Sequence, residues 1–276
     1  MARLDARDIF QTVNILDGLL TAIAGTHALP MGPALGAVAA SQAALAAACL
    51  CPRCSLVGPA ITRAITARAH VALTFDDGPN EALTPRTLDT LAQYGAKASF
   101  FCIGTRAQRW PGLVRRAAMA GHSIENHSWR HSPRFALLGS RKLAREIDDS
   151  QNLLADLCAR PPAYFRAPAG FRNPWLAPLL AERALHYAAW SHRGFDTLDP
   201  RPARVLRRLS HHVQPGAILL LHDGRNARDR HGRPVIETVL PALLEDLKAR
   251  GLRAVDLPTL LGTPAPGERR SARSRA

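Results

Sequence analysis

Two carboxylates stand side by side at Asp76 and Asp77, where the apolar run Val71-Ala-Leu-Thr-Phe75 ends in Asp-Asp-Gly-Pro79. Adjacent acids repel one another, so a cation is their natural stabiliser, and a cation beside a carboxylate base is hydrolytic chemistry. The same letters also suit an Asp-Gly turn in which Asp77 serves only the backbone. Further along, His127-Ser-Trp-Arg-His131 sets two imidazoles four residues apart. On one helical turn they would share a face, the spacing of zinc-binding His-x-x-x-His pairs. With Asp77 as third ligand, two nitrogens and one oxygen would leave room for water, the composition of a catalytic rather than a structural zinc site. Asp76 would then be free to take a proton from water attacking a carbonyl.

The leaving group needs an acid, and His222, closing Ala217-Ile-Leu-Leu-Leu-His222, is the candidate. Asp196 would orient it and favour its protonated form, while Arg166 would neutralise and hold Asp76. The turn Pro168-Ala-Gly170 would offer a backbone N–H to a tetrahedral oxyanion. Each has a plainer counterpart: a histidine after an apolar strand is often structural, and an arginine beside an aspartate is often a surface ion pair.

From residue 70 onward, short apolar stretches alternate with amphipathic ones. Strands are predicted at 70–75, 97–102, 123–126, 163–166, 185–190, 216–221 and 253–256. Helices are predicted at 84–94, 105–120, 140–159, 174–182, 201–212 and 233–250, with Gly95 and Gly251 as stops and Pro85 and Pro234 near starts. Such alternation implies a parallel sheet with helices outside, an α/β barrel or a doubly wound fold. In a barrel, Asp76-Asp77, His127-His131, Arg166, Asp196 and His222 would all fall at the C-terminal rim, where active sites form.

The first 60 residues differ in kind. Ile9 to Ala24 is apolar with scattered polar positions, and Gly32 to Leu50 is Ala-rich and uncharged, just long enough to span a bilayer. Membrane helices, a membrane-skimming hairpin and a helical cap on the main domain are all compatible, and membrane association through residues 9–51 is the expectation. A membrane or cell-envelope location follows from it, with a cytoplasmic one as the alternative. The expected organisation is therefore an N-terminal apolar segment at 1–60, a catalytic domain at 65–261 and a basic, disordered tail at 262–276. The net charge of +14 could suit nucleic acid, but no arginine cluster is interleaved with aromatics, and nucleic acid is not the expected partner. Five cysteines exclude a complete disulfide framework. Cys49, Cys51 and Cys54 lack a fourth zinc ligand nearby and read as inert thiols.

Thr74-Phe-Asp-Asp-Gly-Pro79, His127-Ser-x-x-His131, Arg166-x-Pro-x-Gly170 and Leu219-Leu-Leu-His222 together resemble the ordered motifs of the polysaccharide deacetylases, the NodB-like carbohydrate esterase family 4. The resemblance covers about residues 70–256. It implies a distorted (β/α)7 barrel and metal-dependent removal of acyl groups, usually N-acetyl, from sugars. By position it implies Asp76 as base, Asp77, His127 and His131 as ligands of a divalent metal, usually Zn2+, and Arg166 as the group steadying the base. It further implies Ala169 as source of the oxyanion N–H, His222 as acid and Leu220 as part of the acetyl pocket. Two departures stand out. The fourth motif usually runs Trp-x-x-Asp-x-x-Asp-Trp; counted from Trp190, Asp196 is kept but Arg193 and Thr197 take the other two places. Ala169 stands where Tyr or Phe is common. Both changes remove flat surfaces on which sugar rings stack.

The resulting expectation is an N-deacetylase of acetylated amino sugars in a polysaccharide or glycoconjugate. A deacylase of a lipid-linked sugar or another small amide is the alternative enzyme, motivated by the apolar N-terminus and the missing aromatics. From a different class comes an inactive glycan-binding module on the same fold.

Overall fold

The computed structural model describes residues 6–26, 29–158 and 160–262. These form one parallel sheet of eight short strands: β1 (His70–Gly78), β2 (Ser99–Cys102), β3 (Ser123–Asn126), β4 (Tyr164–Phe165), β5 (His186–Tyr187), β6 (His192–Arg193), β7 (Ile218–His222) and β8 (Arg253–Val255). Their order is β5-β4-β3-β2-β1-β7-β6, with β8 beside the start of β1. Ala72 pairs with Ile218 and Val255, and Thr74 with Leu220 and Ser99, so β7 takes one edge of β1 while β2 and β8 share the other. The curled sheet stops short of closure, because β5 and β6 do not pair with one another. An extended segment fills the gap, with Ile61 bridging Ala188 and Arg63 bridging Ala217. This is the expected distorted barrel.

Ten helices surround the sheet among the described residues: α1 (Ala6–Gly25), α2 (Met31–Leu50), α3 (Leu83–Gln93), α4 (Gly104–Arg109), α5 (Pro111–Met119), α6 (Ser140–Leu157), α7 (Leu176–Glu182), α8 (Pro202–Ser210), α9 (Val235–Ala249) and α10 (Leu257–Leu261). The single helix predicted over 105–120 is two. Pro111 lacks an N–H and disfavours helical backbone at Trp110, so the chain kinks there and restarts. Only 186–187 of the predicted fifth strand pair as a strand, and β6 was not anticipated, since His192-Arg193 carries no apolar signal.

Alternation along the strands separates two faces. Val71, Leu73 and Phe75 of β1 join Leu219 and Leu221 of β7 in a core covered by α3, α8 and α9. Ala72 of β1 and Ile218 and Leu220 of β7 face the other way, into a second core with Phe165, Tyr187 and Trp190. Asp76 and His222 continue that second face to the strand ends, and they sit opposite one another in register. Burial on both faces explains why these strands read as near-continuous apolar runs.

The N-terminal segment is a helical hairpin. Asp17 of α1 accepts hydrogen bonds from Ser41 (2.6 Å) and Gln42 (2.7 Å) of α2, which satisfies the polar residues inside the Ala-rich helix. Phe10 of α1 meets Trp175 edge-on, with ring centroids 6.3 Å apart, and the Cys49 carbonyl accepts from the Arg172 N–H at 2.9 Å. The open end of the hairpin, where α1 begins and α2 ends, therefore rests on the barrel. Its outer surface leaves Ile15, Leu16, Leu19, Ile23, Leu35 and Leu50 exposed. Met31–Leu50 is long and apolar enough to cross a membrane, by length and composition. The five cysteines are all unpaired. The basic tail predicted from 262 lies, apart from Gly262, outside the described residues.

Candidate active site

The strand carrying the acidic pair breaks its own rule at the site. Adjacent strand residues should point to opposite faces, which would separate Asp76 from Asp77. Instead the pairing of β1 with β2 slips between Asp76 and Gly78, and Asp77 adopts a left-handed φ of 69°. This bulge turns both carboxylates into one cavity. Long-range contacts hold it. The Asp77 carbonyl accepts from Arg106 Nη1 at 2.5 Å, and Gly224 lies so close to that carbonyl that no Cβ would fit.

The two histidines also meet by a route other than the expected one. Residues 127–134 are not helical, which corrects the helical-turn expectation for His127 and His131. Ser128 (φ 66°) and His131 (φ 53°) are both left-handed, and the loop is tied by its own side chains. Asn126 Oδ1 accepts from the Ser128 N–H at 2.9 Å, and Ser128 Oγ accepts from the His131 N–H at 3.1 Å. The result brings the imidazole centroids to 4.8 Å. His127 Nε2 lies 3.5 Å and His131 Nε2 3.1 Å from Asp77 Oδ1.

One atom from each of Asp77, His127 and His131 lies within 4.8 Å of the others, so the three fit a divalent cation. Two further features suit the group. His127 Nδ1 faces the Arg166 carbonyl at 2.8 Å, so it carries the ring proton and leaves the Nε2 lone pair directed at the cluster. Burial, then the neighbouring His127, push His131 down to about 4, which keeps it neutral. Burial alone would raise the Asp77 carboxyl, but the two imidazoles beside it, His127 first, hold it well below the usual carboxylate range. The cysteine trio belongs to no such cluster among the described residues.

Asp76 is held from the opposite side. Arg166, fully buried, donates from Nη1 to Asp76 Oδ1 at 2.6 Å and to Thr74 Oγ1 at 3.0 Å. Its Nε and Nη2 donate to the carbonyls of Ala188 and Ala189, each at 3.0 Å, and its plane lies 4.0 Å from the Phe101 ring centroid. Each of its three nitrogens donates to a fixed acceptor, so Arg166 is an anchored counter-charge and not a surface ion pair. Asp196 and His222 form the second pair. His222 Nδ1 sits 2.8 Å from Asp196 Oδ1, and Asp196 Oδ2 accepts from the His222 N–H at 2.8 Å. Burial works against the imidazolium, but the Asp196 charge and hydrogen bond, then Asp76 and Asp77, raise it to about 9.

Asp76, Asp77, His127, His131, Ala169, Leu220 and His222 line one cavity of about 150 Å3; Arg166 and Asp196 sit behind it, each holding a lining residue. All nine residues singled out in the sequence therefore converge. Several others were not anticipated. Asn226 donates to Asp196 Oδ2 and to the His222 carbonyl, clamping that pair from behind. Asp223 is fully buried, accepts from Thr84 Oγ1 at 2.5 Å, and is pushed up by burial to about 7. Its place directly after His222 was the available signal. Trp190, Arg193, Thr197, Leu198 and Arg225 complete the cavity wall.

The family model described as "Polysaccharide deacetylase" matches residues 63–188. A peptidoglycan-N-acetylglucosamine deacetylase of Bacillus cereus is 35% identical over 194 residues, 69% of this chain and 87% of the relative. The chain belongs to the polysaccharide deacetylase family. A chitooligosaccharide deacetylase of a Bradyrhizobium species is 32% identical over 203 residues, covering 71% of this chain and 92% of that one. Among solved structures, a family 4 carbohydrate esterase from Streptomyces lividans in complex with acetate aligns with a TM-score of 0.60 and 30% identity, covering 67% of this chain and 91% of its own. In this member of the family, the stretch around Arg193 and Thr197, where the family's fourth motif is altered, forms part of the wall of the cavity.

Proposed function

We propose that this protein is a divalent-metal-dependent hydrolase that removes N-acetyl groups from amino sugars of a polysaccharide or glycoconjugate. The observation that carries the reading is the meeting of three arrangements in one cavity: the Asp77-His127-His131 cluster, the Arg166-anchored Asp76 and the Asp196-bound His222. The relatives' named activities on N-acetylated sugars support the same chemistry. The presence of the ligand cluster, the base and the acid together also favours an active enzyme over an inactive glycan-binding module.

Asp77, His127 and His131 would hold the cation, with zinc favoured by a donor set of two nitrogens and one oxygen, and when bound it would supply the positive charge that activates water and polarises the acetyl carbonyl. Asp76 takes the proton from the attacking water. Arg166 holds and aims that carboxylate through Oδ1 while leaving Oδ2 unencumbered by the guanidinium. The Ala169 N–H and the cavity wall at Leu220 receive the acyl group, one for the developing oxyanion and one for the methyl. His222, kept protonated by Asp196, gives its proton to the amide nitrogen as the C–N bond breaks, releasing acetate and a free amine.

The test separates ligands from base. Asp77→Ala and His131→Ala should lose bound metal and acetate release together, whereas Asp76→Asn should keep the metal and lose turnover. Wild-type acetate release by either ligand variant would sink the assignment.

A second reading concerns placement. The exposed apolar face of α1 and α2 and the length of Met31–Leu50 support attachment to a membrane, with a lipid-linked sugar as the substrate. Recovery of the full chain in the soluble fraction without detergent would remove that reading.

A further inference from the structure

Beside the catalytic cavity lies a wider cleft of about 760 Å3, walled by Pro52, Arg53, Trp190, Arg193, Arg207 and Arg208 among others. Trp190 and Arg193 line both spaces, so the cleft extends the cavity along the rim. No carboxylate lines it. Arg208 is paired with Asp199 at 3.0 Å, but Arg53, Arg193 and Arg207 form no ion pair with any described residue. Arg53 is pinned by its bond to the Ser191 carbonyl at 2.8 Å. Arg193 Cζ lies 5.5 Å from the Trp190 ring centroid and 4.8 Å from that of Phe195, cation–π contacts that hold the guanidinium beside the cleft. Its Nε is nonetheless buried with no hydrogen-bond partner. Arg193 as a whole is only half-buried, and a guanidinium on the cleft wall with no carboxylate to pair with is useful to an incoming anion.

We infer that this cleft is an anion subsite, and that the acetamido sugar cleaved next door carries a phosphate or diphosphate that binds there. The inference rests on the deacetylase reading and narrows its substrate. Three uncompensated guanidiniums exceed what one sugar carboxylate would neutralise, and the arginine fork matches phosphate oxygens. Arg193 stands at one of the places where the family's fourth motif usually has an acidic residue, so the change adds anion binding where stacking surface is lost. Pro52 and Arg53 come just after Cys51, which follows Leu50, the last residue of α2. Apolar hairpin, cationic cleft and hydrolytic cavity thus succeed one another in the order of a lipid, its phosphate and its sugar. That order favours a lipid carrier over a nucleotide one.

The experiment compares N-acetylglucosamine 1-phosphate with methyl N-acetylglucosaminide, a pair differing at the anomeric substituent, using the full-length holoenzyme. The wild type should prefer the phosphate by about tenfold or more in kcat/KM, chiefly through KM, and the preference should weaken with added salt. Arg193→Gln and Arg207→Gln should each cut that ratio several-fold, and the double variant should bring it near one. Equal kcat/KM for the pair in the wild type, or a ratio untouched by the substitutions, overturns the subsite. Calorimetric titration with N-acetylglucosamine 1-phosphate reads the cleft without turnover. Binding that vanishes in a folded double variant supports the subsite even where no acetate is released, an outcome that would refute only the deacetylase reading. Absence of binding by the wild type overturns the subsite whatever the acetate assay gives. Finally, a polyprenyl-diphosphate acetamido sugar in phosphatidylcholine vesicles is compared with a nucleotide-diphosphate acetamido sugar in solution. Faster release from the vesicles supports the lipid carrier, and equal or slower release overturns it.

Discussion

Replacing Asp196 by Asn keeps the shape of the residue behind the proposed acid and removes its charge. In the wild type His222 is almost entirely buried, a condition that by itself drives an imidazole towards neutrality. It is nevertheless raised from 6.5 to about 9, burial being outweighed by the Asp196 carboxylate at 2.8 Å and then by Asp76 and Asp77. A cation among Asp77, His127 and His131 offsets part of the field of those two carboxylates, which leaves Asp196 as the decisive partner. Without that charge, burial prevails and His222 should fall to its ordinary value or below. A fall from about 9 to about 6.5 corresponds to about 3 kcal/mol in the stability of the imidazolium. At pH 7.5 the proton-bearing fraction would drop from nearly complete to about one in ten, so acetate release should fall at least about tenfold. The diagnostic is the shape of the profile. The basic limb of kcat/KM, followed by acetate release from about pH 5.5 to 10, should move down by two or more pH units, and activity should partly recover on acidification. A variant whose rate falls equally at every pH, with the limb in place, would refute the proton-donor reasoning for His222.

Two further predictions test the interior. Arg166→Met removes one member of a fully buried ion pair and strands Asp76, which should cost about 3–5 kcal/mol by denaturant midpoint; a loss under about 1 kcal/mol would show that Asp76 finds another partner. Glu125 is buried, which raises its carboxyl from 4.5 to about 7 despite hydrogen bonds from the Tyr164 and Ala163 N–H groups. Between pH 4.5 and 7 the folded protein thus keeps a proton that the unfolded chain releases, so this group makes stability fall as pH rises through that window. Glu125→Gln should remove about 3 kcal/mol of that pH-dependent loss, read as a flatter urea midpoint from pH 4.5 to 8. An unchanged slope would mean that another group titrates there.

Most of the barrel and its chemistry was legible in the chain because both are local patterns. Apolar runs such as Ile218–Leu221 give a strand, and its direction in a parallel sheet places His222 at the C-terminal end without reference to any other residue. Repeating that argument for each strand gathers Asp76, His127, Arg166 and His222 at one rim, and the motif spacing then assigns them chemistry. What the linear pattern misjudged is the local geometry at the centre of the site. Read alone, the chain put His127 and His131 on a helix and Asp76 and Asp77 on opposite faces. The folded protein instead uses left-handed backbone at Asp77, Ser128 and His131, none of them glycine. Side-chained residues avoid that region unless the surroundings insist. Here the surroundings are distant in sequence: Arg106 and Gly224 on the Asp77 carbonyl, and α4 on the carbonyls of Ser128 and Trp129. The unpartnered Arg193 beside Trp190 is of the same kind, since the lack of a carboxylate around it is a property of assembled walls. Propensity and periodicity are short-range and can be read along a chain. A site built from strained turns and uncompensated charge exists only when remote segments meet.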